Sequence, residues 1–256
     1  MLSEREVETI VFRMTKLPIN SCPTPKDDAK KRLWDDYLKS VDPADSLLYG
    51  TYTDSYVYSK VHSIFVACKT ALRLALGNDL DTCIKECWYE QPYRRDIREK
   101  RSFGQMMEPR AITLYSQKTG NIVKQCKHVV NPMVPFLIVS PDGLVFRKGA
   151  FDRAIEIKTV TDIHSLDKLH ELRCCRVSCG RLVLKKHVPM YAQLQFTMLA
   201  LNLDIMDLVL YFPSFNHVEV VVVHRDAGFL NHHLPNLYKN YTHHVMPHIL
   251  SKLGQI

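Results

Sequence analysis

Apolar positions recur every three to four residues over the first hundred positions of this chain, then every second residue or in short runs through its middle. Val7, Ile10, Val11, Met14 and Leu17 share one helical face that stops at Pro18. Thr24-Pro25 opens a second predicted helix, with Leu33, Tyr37 and Leu38 as its apolar side and Pro43 just beyond its end. A longer helical stripe, Val57, Val61, Ile64, Phe65, Cys68, Leu72 and Leu76, closes at Gly77-Asn78. Leu80 to Trp88 predicts a further short helix before Pro92. The stretch 93–102 carries five basic residues and reads as an exposed, solvated connection, or as a contact to a polyanionic backbone.

Beyond residue 103 the period changes. Phe103 to Lys118 predicts a helix with Met107, Ala111, Leu114 and Tyr115 on one side and Gly120 as its stop. Ile122–Val130, Val134–Val139, Leu144–Arg147 and Arg153–Thr159 are short and β-branched, and predict strands. Tyr191–Leu201 returns to helix after Pro189, Leu208–Phe212 and Val218–His224 to strand, and Gly228–Leu253 to a helix broken at Pro235 and Pro247. That order predicts an α/β (α+β) fold, a central mixed β-sheet flanked by helices. It divides into a mostly helical region, 1–100, and a core, 101–256, forming one compact unit. There is no internal repeat.

Composition refines this only slightly. At 256 residues with 46% apolar and 24% charged positions, the chain is an ordinary globular one, and a net charge of +7 is weakly in favour of a polyanionic partner. Eight cysteines follow a charged N-terminus without an apolar leader, so reduced thiols and an intracellular setting are expected. Lys60, His62, Lys69 and Arg73 interrupt the most apolar early stretch and argue against a membrane span. Cys83, Cys87, Cys175 and Cys179 could in principle hold zinc, but buried reduced cysteines are the favoured reading for these and for Cys174. No phosphate-binding glycine loop is present, so ATP-driven movement is not encoded.

The chemistry concentrates in the middle. A Ser-Pro-Asp-Gly turn at 140–143 is followed by Ala-Ile-Glu-Ile-Lys at 154–158. Residues two apart on a strand share a face, so Glu156 and Lys158 project together, and a hairpin can bring Asp142 beside Glu156. Two hard oxygen ligands with a cation alongside suit Mg²⁺ or Mn²⁺ better than Zn²⁺, and the Ile157 carbonyl can add another oxygen. A solvated Glu/Lys pair on an exposed hairpin is the competing reading. Ile155, Ile157 and Val160 weigh against it, because a charged pair on a buried strand needs partners or a metal. The pattern points to metal-assisted phosphodiester hydrolysis.

These residues resemble the PD-(D/E)xK nuclease superfamily, and within it the lambda-exonuclease and YqaJ viral recombinase branch. Four blocks carry the resemblance: Phe-Gly-Gln-Met-Met-Glu-Pro-Arg-Ala at 103–111 with Tyr115 beyond it, Ser-Pro-Asp-Gly-Leu-Val at 140–145, Glu-Ile-Lys at 156–158, and Tyr-Ala-Gln-Leu-Gln at 191–195. The match covers about residues 100–215. The resemblance implies a restriction-endonuclease-like core and one or two Mg²⁺ (or Mn²⁺) ions held by Glu108, Asp142, Glu156 and the Ile157 carbonyl. Lys158 would orient and help deprotonate the attacking water, and Gln193 would hold the lysine or the nucleophile. Gln193 and Gln195 point about 200° apart on a helix, so only one faces the site, and the family pattern favours Gln193. Arg110, Ser140, Gln195, Lys185 and Lys186 are the candidate nucleic-acid contacts. The implied activity is a 5′ to 3′ exonuclease on double-stranded DNA ends, leaving 5′-phosphates, in viral or mobile-element recombination and repair. Its implied setting is the nucleus or cytoplasm of a host cell, with a single-strand annealing protein as partner and a homo-oligomer as a further option. Endonuclease or RNase activity on the same fold, and a non-catalytic binding module, are the alternatives.

Overall fold

Val7, Ile10 and Met14 recur at helical spacing, and in the computed structural model they line the buried side of α1 (Glu4–Thr15). Withdrawing side chains of this size from water stabilises the fold by about 1.5–3 kcal/mol each. Glu6 reaches back to accept from the Ser3 N–H at 2.8 Å and the Ser3 hydroxyl at 3.0 Å, closing the helix start. The structure describes residues 2–16, 66–87, 95–126, 129–131, 134 and 136–252. The helix expected after Thr24-Pro25 and the beginning of the stripe from Val57 lie outside them.

Of that stripe, only its end is helical among the described residues: Val66–Ala67 is strand β1, and α2 (Cys68–Leu76) follows it. Gly77 ends α2 in the left-handed region at φ +69°, where a side chain would be strained. α3 (Leu80–Cys87) is the expected short helix. α4 (Arg95–Thr119) begins eight residues before Phe103, so most of the predicted charged connection is helix. Arg, Lys and Glu are good helix formers, and solvent exposure does not by itself distinguish a helix from a loop.

The remaining strands are β2 (Ile122–Lys124), β3 (Val129–Val130), β4 (Leu137–Val139), β5 (Gly143–Arg147), β6 (Ala150–Thr159), β7 (Cys175–Ser178), β8 (Arg181–Leu184), β9 (Ile205–Phe212) and β10 (His217–His224). The central sheet is mixed, in the order β10-β9-β6-β5-β2, with β6 and β9 parallel and its other pairs antiparallel. The parallel pair requires a crossover. It passes through a 3₁₀ turn (Leu166–Glu171), the β7–β8 hairpin and α5 (Pro189–Leu201). The 3₁₀ turn and hairpin carry no clear periodic signal. One expectation is corrected here: the predicted strands 122–130 and 134–139 do not all join the central sheet. β4 pairs instead with β1 on one side and β3 on the other, in a separate three-stranded sheet.

Both faces of the central sheet are covered. Ile155, Ile157, Val145, Val209, Tyr211 and Val218 pack against Ala111 and Tyr115 of α4. On the other face, Leu144, Ala154, Leu208 and Leu210 belong to the same core cluster as α1, α2 and α5. Ten of the thirteen α5 residues are buried, which explains a helix apolar almost all round. Asn131 joins α1 to α5 by donating to the Met14 and Ala200 carbonyls, at 3.2 and 2.8 Å. The C-terminal run is α6 (Ala227–Asn240), a π segment at Tyr241–Val245 and α7 (Met246–Lys252). Pro235 lies within α6 without ending it. The irregularity falls at the π segment, where the Met246 N–H donates to the Tyr241 carbonyl just before Pro247, which has no N–H to give.

Candidate active site

The Pro141-Asp142-Gly143 turn delivers a carboxylate to the edge of β6. The Asp142 N–H donates to the Ile155 carbonyl at 3.1 Å, and Asp142 Oδ2 accepts from the Ile157 N–H at 2.6 Å. A strand residue turns its N–H and carbonyl to the same edge, so the Ile157 carbonyl projects towards this turn as well. Gly143 is required by close approach, because a Cβ there would lie 2.4 Å from Val123 Cγ1 and 3.1 Å from Ile155 Cγ1. The turn can therefore sit tightly under β2, which fixes where Asp142 points.

Glu156 and Lys158 share the α5 face of β6, beside Leu208 and Leu210 of β9. Glu156 is 4% exposed, and its Oε1 accepts from Lys158 Nζ at 2.5 Å and from Gln193 Nε2 at 2.7 Å. Lys158 keeps about a third of its side chain in solvent, 37%. α5 is held to α6 by Gln195, whose Nε2 donates to the His224 carbonyl and whose Oε1 accepts from the Asp226 N–H. That latch sets the rotation of α5 and turns Gln193 to Glu156.

Glu108 approaches from α4 on the opposite layer and is half-buried. Two helical turns later, Tyr115 donates its hydroxyl to Asp207 Oδ2 at 2.7 Å, and Arg153 Nη1 reaches Asp207 Oδ1 at 3.0 Å. Seven residues return to nearly the same helical face, so this buried network fixes α4 against β9 and places Glu108. Burial and the Asp207 charge push the Tyr115 hydroxyl far up, which keeps it a neutral donor. Asp207 carries no sequence signal beyond being an acid within an apolar strand.

The electrostatics join the four charged groups into one field. Burial, then repulsion by Glu156, pushes the Asp142 carboxyl up to about 8, although the Ile157 N–H and Lys158 pull it down; Glu108 adds to the rise. Glu108 is raised by burial and by Glu156, with Lys158 opposing. For Lys158 burial acts downward, but Glu156, Asp142 and Glu108 outweigh it and the ammonium is held above its ordinary range. Two thiols lie within reach of these charges. Burial lifts both to about 12, with the Glu156 charge adding to Cys68 and the Asp142 charge adding to Cys126. They stay neutral, and nothing in the cysteine spacing announced them.

Among the described residues no three His, Cys, Asp or Glu side chains converge tightly enough to hold a metal as they stand. Glu156 Oε1 is engaged by Lys158 and Gln193, and Asp142 Oδ2 by Ile157. The donor chemistry nevertheless fits a hard divalent cation. Three carboxylates share one field with one ammonium, and their mutual repulsion adds to burial in raising Asp142 and Glu108. Cys83 instead donates to the Asn78 carbonyl, Cys175 is buried and Cys179 is exposed, all as free thiols; the Cys87 side chain lies outside the described ones.

The candidate nucleic-acid contacts separate. Gln195 does not fit that role, since it is completely buried and its amide serves the α5–α6 latch. Lys185 is committed to the carbonyls of Leu172 and Arg173, at 3.3 and 3.0 Å, under the β7–β8 hairpin. Lys186 is exposed and pairs with Asp226 at 2.6 Å. Arg110 is exposed on α4, two residues from Glu108, and donates to Asn216 Oδ1 at 2.8 Å. Ser140 is exposed at the entrance to the Asp142 turn.

A family model described as the YqaJ-like viral recombinase domain matches residues 64–196. Two crystal structures of LHK-Exo, an alkaline exonuclease from Laribacter hongkongensis, one of them in complex with dAMP, are similar to this chain at 17% identity. Each has a TM-score of 0.57, covering 78% of this chain and 99% or 97% of the other. A phage-related exonuclease from Haemophilus somnus 129PT is similar at 14% identity and TM-score 0.52, over 74% of this chain and 96% of that one. A comparison with curated protein sequences gives no match. Among the described residues no helix is long and apolar enough to cross a membrane.

Proposed function

The chain belongs to the YqaJ-like viral recombinase domain family, and from that premise we propose that it is a divalent-metal-dependent deoxyribonuclease, an exonuclease working inward from the ends of double-stranded DNA. One observation carries the reading: Asp142, held by the Ile157 N–H, and Glu156, paired with Lys158, meet at one end of β6, with Glu108 near enough for its charge to act on them. The resemblance to proteins named as exonucleases agrees with it. The same reading includes 5′ to 3′ polarity, 5′-phosphate products and a single-strand annealing protein as partner.

Glu108, Asp142, Glu156 and the Ile157 carbonyl would hold Mg²⁺ or Mn²⁺. When bound, such an ion acidifies water and offsets charge on the phosphate oxygens. Lys158, whose ammonium the neighbouring carboxylates hold above its ordinary range in the metal-free protein, would orient the attacking water and a non-bridging phosphate oxygen and help deprotonate that water once a bound cation offsets those carboxylates. Gln193 fixes the Glu156 carboxylate through Oε1 and prevents it from rotating away from the site. Asp142 is held by the Ile157 N–H, so the turn and β6 move as one piece. Arg110 and Ser140, exposed beside Glu108 and Asp142, are the proposed phosphate contacts.

The test is end-labelled linear duplex, covalently closed circular DNA and RNA, each incubated with Mg²⁺ and wild-type protein, Lys158→Ala or Asp142→Asn. Linear duplex should be degraded, closed circles and RNA spared, and both variants slowed by about 10²–10³-fold or more. Cutting of circles or RNA at the linear rate would remove the exonuclease assignment. Wild-type rates in the variants would remove the site.

A further inference from the structure

The crossover between Lys158 and Gln193 carries a second reactive group that the nuclease chemistry does not use. Consecutive residues within a strand turn their side chains to opposite faces. Cys174 lies just outside β7, whose first residue is Cys175, and here the two sulfurs meet, Sγ to Sγ 3.8 Å. Cys174 is half-buried between exposed Arg173 and Arg176, so a small reagent can reach it, whereas Cys175 is fully buried in the core. The pair sits at the base of the β7–β8 hairpin. There the Lys185 N–H donates to the Cys174 carbonyl at 2.9 Å, and Lys185 Nζ bridges the two preceding carbonyls.

We propose that Cys174 and Cys175 form an oxidation site for hydroperoxides, closing to a disulfide between adjacent residues. The Cys174 thiolate attacks one peroxide oxygen, the O–O bond breaks, and the oxygen leaving takes up a proton as water or alcohol. The sulfur, oxidised by two electrons to a sulfenic acid, is then attacked by the Cys175 sulfur. The S–S bond forms, and the displaced hydroxide leaves as water with the Cys175 proton. The net change is two thiols and one hydroperoxide to one disulfide, one alcohol (water, from hydrogen peroxide) and one water.

Accessibility assigns the two roles, since a reagent can reach Cys174 and Cys175 is buried, and the electrostatics run the same way. Contact with Cys175 holds the Cys174 thiol down at about 7, with Lys185 assisting and burial and Asp162 opposing, while the same contact pushes Cys175 up. Adjacent Cα atoms are about 3.8 Å apart, below the usual disulfide span of about 4.4–6.8 Å. The bridge is therefore strained and returns readily to dithiol. Such a switch reports oxidant through the segment joining β6 to α5, and its assignment is independent of the nuclease reading.

The experiment treats the reduced full-length protein with one equivalent of hydrogen peroxide at pH 7, then denatures, alkylates and maps it by mass. Six of the eight cysteines should alkylate, with 174 and 175 joined and about 2 Da lighter, and dithiothreitol should restore all eight. Cys174→Ser should abolish the fast reaction. Cys175→Ser should stop at a dione-trappable sulfenic acid on Cys174, and because Cys175 is buried, the half-buried Cys174→Ser decides the matter if that variant folds poorly. Alkylation of both residues after oxidation, or a bridge that recruits Cys179 instead, would overturn the proposal.

Discussion

Replacing Asp142 with asparagine should make the metal-free protein more stable in mild alkali while removing its activity. The ordinary aspartate value is 3.8 and the folded one about 8, so between these limits the unfolded chain is ionised while the folded chain keeps its proton. The folded state binds more protons, and Asp142 therefore stabilises it fully at low pH and progressively less as pH rises towards 8. From pH 5 to pH 8 the slope of about 1.4 kcal/mol per pH unit sets a ceiling of about 4 kcal/mol. Asp142 is partly exposed and solvent screens the fields of Glu156 and Glu108, so about 2 kcal/mol is expected. For a chain of this size that is about 4–8 °C in Tm. The Asp142→Asn side chain keeps an acceptor for the Ile157 N–H and cannot ionise, so the stability of that variant lacks this pH dependence. Urea and thermal unfolding of both proteins in EDTA at pH 5, 6, 7 and 8 measure the difference, and Mg²⁺ added at pH 8 should favour the wild type. Parallel pH profiles for the two proteins would refute the reasoning, because the surplus of buried carboxylate would then not exist.

Three further substitutions separate catalysis from architecture. Gln193→Ala should lower kcat by about 10–100-fold with little change in Tm, because it frees the Glu156 carboxylate without opening the core. Gln195→Ala should act in reverse, costing about 2–3 kcal/mol in urea unfolding by leaving the Asp226 N–H and His224 carbonyl without their partner. Gly143→Ala brings a methyl 2.4 Å from Val123 Cγ1, so about 1–3 kcal/mol should be lost. Activity should fall with it, since the strain moves the turn that presents Asp142, and Val123→Ala in the same chain should restore part of both.

Asp142, Glu156 and Lys158 were legible as a candidate group from local geometry, whereas Glu108 and Gln193 entered through the family resemblance. Glu156 and Lys158 share a face at a period of two, and the Pro-Asp-Gly sequence forms a turn in any context. The 100° step of a helix separates Gln193 from Gln195. Other features were not legible. β1 is two residues long and exists because Leu137 and Ile138, seventy residues later, pair with it. The charged start of α4 looks like a loop because a run of charged residues carries no apolar stripe to mark it as helix. Lys185 and Gln195 have the composition of nucleic-acid contacts and turned out to be internal clamps, a distinction that depends on which carbonyls lie within reach.

Sequence alone therefore determined most of the helices and strands of the core and the three residues of the 142–158 hairpin, since these rest on periodicity and turn chemistry acting over a few residues, and the order of its motifs carried the family resemblance. Only the tertiary structure decided that Glu108 enters from the opposite layer, that Gln195 rather than a surface contact orients α5, and that Cys174 meets Cys175. Those outcomes depend on close packing between segments far apart in the chain. There a rotation of one helix by a single residue changes which polar group is buried, and no local pattern records that choice.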